Sequence, residues 1–188
     1  MSETITKAMA RPGVVPAFLA GLGVFVALLV IGFLQALFST LGLIAGAAAG
    51  GDFILQIWSG QLVNALSGPL PFAVGVFLCF WQVAPIAPVL RLAHVVTRSI
   101  LAALVGGAVM WLVTFIAVVV LDISQAPFSF RAADVFGQLG PDALRALFQA
   151  LSVTAGYLPI AVLAGILLWG WLQRHPLAEP VHGALDEV

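Results

Sequence analysis

Four stretches of this chain carry no Asp, Glu, Lys, Arg or His: Val14 to about Phe38, Leu70 to Leu90, Ile100 to Leu121, and about Leu151 to Leu172. Each is long enough to cross a bilayer core of about 30 Å, which takes roughly 20 apolar residues in a helix. In lipid every backbone N–H and C=O must be satisfied within the protein, so the only spanning structures are helices and closed barrels. The four stretches therefore predict an all-α, polytopic membrane protein with four transmembrane helices. Composition agrees, with 62% apolar and 8% charged residues over 188 positions and a mean hydropathy of +1.15, where a soluble domain carries about 25% charged residues.

Residues 1–13 place Lys7 and Arg11 ahead of the first apolar run, and Gly46 to Gly51 reads GAAAGG. Together these imitate a secretory signal and its cleavage site, but a signal core spans only about 7–15 residues. Val14 to Leu34 is longer than that without a charge, which predicts an uncleaved first span. Basic residues in short loops mark the cytoplasmic side. An N-terminus inside puts Lys7, Arg11, Arg91, Arg98 and Arg174 in the cytoplasm and leaves Arg131 and Arg145 outside. The expected topology is N-in and C-in, with 1–13 and 173–188 cytoplasmic, 14–172 forming a single transmembrane domain, and the plasma (inner) membrane as its location.

The two outer connections are not polar linkers. Asp52 to Leu66, DFILQIWSGQLVNAL, groups Gln56, Ser59, Gly60 and Asn64 near helical spacing, and GPDALRALFQAL sets Leu144, Leu147, Phe148 and Leu151 against Arg145 and Gln149. Both predict amphipathic helices in the outer interface, the second opened by Pro141 and Asp142. Each leads into a similar phrase, GPLPFAV from Gly68 and GYLPIAV from Gly156. One reading is punctuation: each Gly ends the outer helix in a left-handed conformation, and Pro71 and Pro159 open the next helix. The other is a 2+2 parallel internal repeat. Gln61, Gly68, Leu70, Pro71, Ala73, Val74 and Trp81 all recur 88 positions later, yet the same offset relates spans one and three hardly at all.

Polar residues near the spans are few. Arg91, His94 and Arg98 fall at i, i+3 and i+7, a basic stripe that suits anionic lipid or an acidic partner, and equally suits plain positive-inside anchoring. QVAPIAP puts Gln82, Pro85 and Pro88 in the inner third of span two. Each proline removes an N–H and crowds a carbonyl one turn back, so a bend, a hinge or part of a substrate path is expected there. Gln35 is expected to be a buried polar contact between helices, and Asp122 a carboxylate at the outer boundary. Trp81 and Trp111 sit near the middles of their spans, where packing is the expected role.

No HExxH, GxSxG or Walker pattern occurs, and each of these encodes a specific ligand or nucleophile geometry. Cys79 is the single cysteine, which rules out an intrachain disulfide. No catalytic set, metal or cofactor is expected, and a net charge of -1 with no block of like charges argues against nucleic acid. The expected function is that of a non-enzymatic integral membrane subunit or scaffold, its partners being the lipid bilayer and either another protein or copies of itself. The alternative is a small oligomeric transporter or channel for an apolar or lipid-like substrate.

Overall fold

The computed structural model describes residues 13–44, 51–125 and 132–175, with side chains at 13–40, 59–121, 137 and 139–175. Within these residues all the regular structure is helical. α1 runs Val14–Ile44, α2 Gly51–Ser67, α3 Pro69–Leu78 with a π-helical turn over Cys79–Val83, α4 Leu92–Gln125, and α5 Ala132–Arg174. Four of the resulting segments are long and apolar enough to cross a membrane: Val14–Thr40, Ser59–Val83, Leu92–Leu121 and Leu139–Arg174. Packing runs in a ring, α1 against α3, α3 against α4, α4 against α5 and α5 back to α1. Across its centre the rings of Phe72 and Tyr157 meet edge to face at 5.2 Å.

Several boundaries differ from the sequence expectation. The first span continues as helix to Ile44, and the third begins at Leu92, so that HVVTR forms its first turns. The second stops as helix at Val83 rather than Leu90. The segment predicted as the first outer helix forms α2, but it passes into α3 with only Gly68 between them, and from Ser59 on it is part of the candidate span Ser59–Val83 rather than a separate interfacial helix. The predicted second one is not separate: GPDALRALFQAL is the early part of α5, whose 43 residues include Pro141 and Pro159 in the interior. At 1.5 Å per residue α5 is roughly 65 Å long, well beyond a bilayer core.

The punctuation reading of the two GxLP phrases is corrected in the same way. Among the described residues, Gly13, with φ 98°, is the glycine of positive φ. Gly68 has φ -114° and ψ -77°, and Gly156 lies inside α5. Neither ends its helix left-handed. In membrane helices neighbouring groups can satisfy the carbonyl that a proline frees, so Pro159 does not have to begin a helix.

Many of the buried positions are small residues, while many large aliphatic side chains face outward. Ala17, Ala20, Ala73, Ala102, Ala103 and Ala161 are buried, whereas Val30, Ile116, Val120, Leu163 and Leu167 are exposed. Lipid solvates leucine as well as a protein interior does, so helices associate by close backbone approach at small residues. The tightest backbone-to-backbone approach is glycine on glycine. A Cβ added to Gly75 would stand 2.6 Å from the Gly106 Cα, and one added to Gly106 would stand 2.8 Å from the Phe72 carbonyl oxygen. On α1, a Cβ at Gly21 would meet the Phe77 Cβ at 2.8 Å, while one at Gly23 meets nothing within 4 Å.

These distances set opposite signs for the same substitution. Gly75→Ala must push α3 and α4 backbones apart and is expected to destabilise the detergent-solubilised protein by about 1–3 kcal/mol. Gly23→Ala relieves glycine's entropic cost in a helix and is expected to be neutral or to stabilise by up to about 1 kcal/mol. Melting temperatures of the two variants check this, and equal shifts would refute the packing at Gly75.

Candidate functional site

The most elaborated polar structure is built around the break in span two. Pro85 clashes with α-helical geometry at the residue before it, and Ala84 accordingly sits at φ -140°, ψ 68°. The helix widens as it approaches this stop. Cys79–Val83 form a π-helical turn, and the Ala84 N–H reaches back five residues to the Cys79 carbonyl at 2.8 Å. From Ala84 to Arg91 the chain is not helical, apart from a turn in which Leu90 N–H donates to the Ala87 carbonyl at 3.2 Å.

The first part of this irregular segment is buried, whereas Val89 near its end is 89% exposed. Ala84, Pro85 and Ile86 are buried, and the Ile86 side chain reaches towards α5 at Gly165. Non-helical backbone at such depth requires partners from the protein. Two side chains from neighbouring helices supply them. Arg98 on α4 donates Nη1–H to the Pro85 carbonyl, and Trp169 on α5 donates Nε1–H to the Leu90 carbonyl at 3.1 Å. The break is therefore stapled near both of its ends. Around it α4 and α5 close on each other: Ser99 Oγ donates to the Val95 carbonyl at 2.8 Å and faces Gly165, where an added Cβ would overlap it.

The candidate residues distribute unevenly over this arrangement. Pro85 lies within the staple, with Gln82 and Pro88 half-buried beside it. The basic stripe divides, since Arg91 and His94 are exposed while Arg98 is turned inward onto Pro85. Arg91 acts as the start of α4, its carbonyl accepting from His94 N–H at 2.9 Å and Val95 N–H at 3.2 Å. Gln35 is exposed, not buried. Its neighbours are apolar on every side of α1, so the sequence carries no stripe that fixes which way that helix is rotated. Asp122 belongs to α4, and its side chain lies outside the described residues.

Trp169 and Ser99 were missed by sequence reasoning. The signals for Trp169 were its place in the aromatic belt near the inner interface and its recurrence with Trp81 at the 88-residue offset, neither of which foresees this hydrogen bond, and the two indoles behave differently. Trp81 stacks on Phe77 at 5.5 Å, and its Nε1–H has no acceptor among the described residues. Trp111, expected to pack, also donates, from Nε1 to the Ala143 carbonyl at 3.2 Å. Thr154 is 5% exposed, and its hydroxyl, without a partner among the described residues, presses on Gly107.

Lateral grooves open between helices. One of about 400 Å³ lies between α1 and α5 and is lined by Ala20, Gly23, Ala27, Ala164, Leu167 and Trp171 among others. A smaller one of about 210 Å³ lies between α1 and α2 and includes Gln61 and Asn64. Among the described residues no three His, Cys, Asp or Glu side chains gather around one point. The fold defines a class, the multi-pass helical membrane proteins. No protein-family model, curated protein or solved structure matches the chain.

The staple can be tested directly. Arg98→Met keeps the side-chain length and deletes the donor to a buried carbonyl, and hydrogen bonds to charged groups contribute about 1.5–3 kcal/mol. Trp169→Phe is expected to cost about 1 kcal/mol. Cys79, fully buried at the start of the π turn, should react faster with a membrane-permeant maleimide in both variants. Wild-type melting and wild-type labelling rates in Arg98→Met would show that the break holds itself.

Proposed function

We propose that this chain is a non-enzymatic subunit or scaffold of a membrane complex, packing against protein partners or copies of itself. The observation that carries the reading is the filled axis of the bundle. Phe72, Val76 and Phe80 are at most 2% exposed and pack with Val24, Val95 and Leu172, which gives a hydrophilic solute no polar wall to follow through a single chain. The outward faces are broad and apolar, as Phe38, Ile116 and Val120 illustrate, and a partner helix is recognised on such a surface by shape and small-residue contact. Extraction from native membrane in mild detergent is expected to recover a stoichiometric partner or a homo-oligomer. A lone monomer that catalyses flux in vesicles containing nothing else would overturn the reading.

That second outcome corresponds to a transporter for an apolar or lipid-like substrate, favoured by the groove open sideways between α1 and α5. The two readings share one topology. Cytoplasmic termini are supported by five basic residues against two, and the plasma membrane is the proposed location. In a Cys79→Ala background, Asp142→Cys is expected to react with an impermeant thiol reagent from outside, and Gln173→Cys only after permeabilisation. The reverse pattern would invert the molecule.

The 88-residue repeat enters this proposal with a constraint. Gly21 of α1 faces Phe77, and Gly165, the counterpart of Phe77, faces Ser99. Ser99 lies 78 positions after Gly21, ten short of the offset. A duplication therefore has to absorb ten residues between its first and second spans.

A further inference from the structure

The α1–α5 groove has a length, a polarity and a charged end that together specify an occupant. On α5 it runs from Ile160 to Trp171, which is roughly 16 Å of helix axis, about half of a 30 Å hydrocarbon core. A transmembrane helix packed along the groove would extend well past it, beyond the lining on α5. One leaflet's acyl chain needs only half of the core. The volume of about 400 Å³ falls within the roughly 300–1,000 Å³ of small-molecule pockets, and the lining is apolar, with Val24 and Leu168 as its buried floor and Leu163 and Leu167 exposed at its rim.

Charge appears where that chain would meet its headgroup. Leu167, Trp171 and Arg174 follow at i, i+4 and i+7, so Arg174 continues the groove-lining face of α5 by one more turn. Arg174 and His175 are exposed. The His175 ring stacks on Trp171 at 5.0 Å, with Nδ1 3.2 Å from the Trp171 carbonyl oxygen, which holds the imidazole at the mouth of the groove. Trp171, 42% exposed, has the amphipathic ring found at headgroup level in membrane proteins.

We propose that this groove binds an anionic glycerophospholipid from the leaflet at the Arg174 end, with one acyl chain lying along Gly23, Ala27 and Ala164 and the phosphate on the Arg174 guanidinium. The site rests on the bundle being embedded in a bilayer and not on whether the chain is a subunit or a transporter. It is separate from the Arg98 staple.

The test is native mass spectrometry of the full chain, released from micelles with phosphatidylglycerol and phosphatidylcholine supplied in equal amounts. Wild type is expected to retain phosphatidylglycerol preferentially, and equal retention of the two would overturn the proposal without any variant. Arg174→Gln should cut that preference about five-fold, the contribution of one basic residue near an anionic surface, while phosphatidylcholine occupancy stays as it was. Gly23→Leu places a side chain into the groove, starting from a Cβ position with nothing within 4 Å, and should abolish retention of both lipids. Wild-type retention in Gly23→Leu would place the lipid elsewhere. Conversion of an oligomer to a monomer by Gly23→Leu, with headgroup preference unchanged in Arg174→Gln, would make the groove a contact between copies and sink the lipid site.

Discussion

Lipid offers no hydrogen bonds, and the architecture depends on that deficit wherever the helices are interrupted. Three spans meet it with unbroken helix. The second cannot, because Pro85 lacks a donor and forces Ala84 out of α-helical geometry. The deficit is then transferred to other helices: Arg98 of α4 and Trp169 of α5 donate to carbonyls of the broken segment. A local property of one dipeptide thereby becomes a tertiary contact that joins spans two, three and four. An arginine beside a membrane surface normally extends towards headgroups, whereas Arg98 turns onto a carbonyl of the broken segment. A buried, unsatisfied carbonyl costs about 1–3 kcal/mol, comparable to or larger than the roughly 1 kcal/mol of a headgroup contact.

With the break secured, close packing becomes the second requirement. The hydrophobic effect does not drive apolar helices together inside lipid, so cohesion comes from dispersion, which needs backbones within reach of each other. Gly75 on Gly106 joins α3 to α4, while Ser99 on Gly165 and Thr154 on Gly107 join α4 to α5. The hydroxyls are close enough to the opposing helix that their oxygen atoms serve as packing surface. Ser99 satisfies its own donor within α4, so burying it incurs little penalty.

The spans and the all-helical fold were legible because charge-free length is a property of the sequence alone. The break was legible from Pro85 and Pro88. What repairs it was not, because Arg98 reads as one member of a basic stripe until the fold brings α4 back past Pro85, thirteen residues upstream. Gln35 failed for a related reason: α1 is apolar all round, so nothing local says which of its faces meets the bundle. The two GxLP phrases show how little a short match decides. One spans a junction at Gly68, and the other lies in the middle of a continuous helix, with the same residues serving a helix start in one place and tolerated in a helix interior in the other.

The sequence Gly21-Leu22-Gly23 concentrates the problem in three residues. Two positions on a helix lie about 200° apart around its axis, so the two glycines face nearly opposite directions. Gly21 seats α1 against Phe77 of α3, and that contact fixes the rotation of the helix. Gly23 is thereby carried to the side of α5, where its missing side chain leaves a void instead of a contact. Composition cannot tell these roles apart, because both read as small residues in an apolar run. The groove between α1 and α5 is thus a consequence of how α1 is anchored to α3: the closer that seat, the more firmly Gly23 is held towards the gap. An apolar void open to the bilayer does not stay empty, since acyl chains reach it without crossing water. Whatever fills it touches α1 and α5 at once and completes the weakest side of the ring.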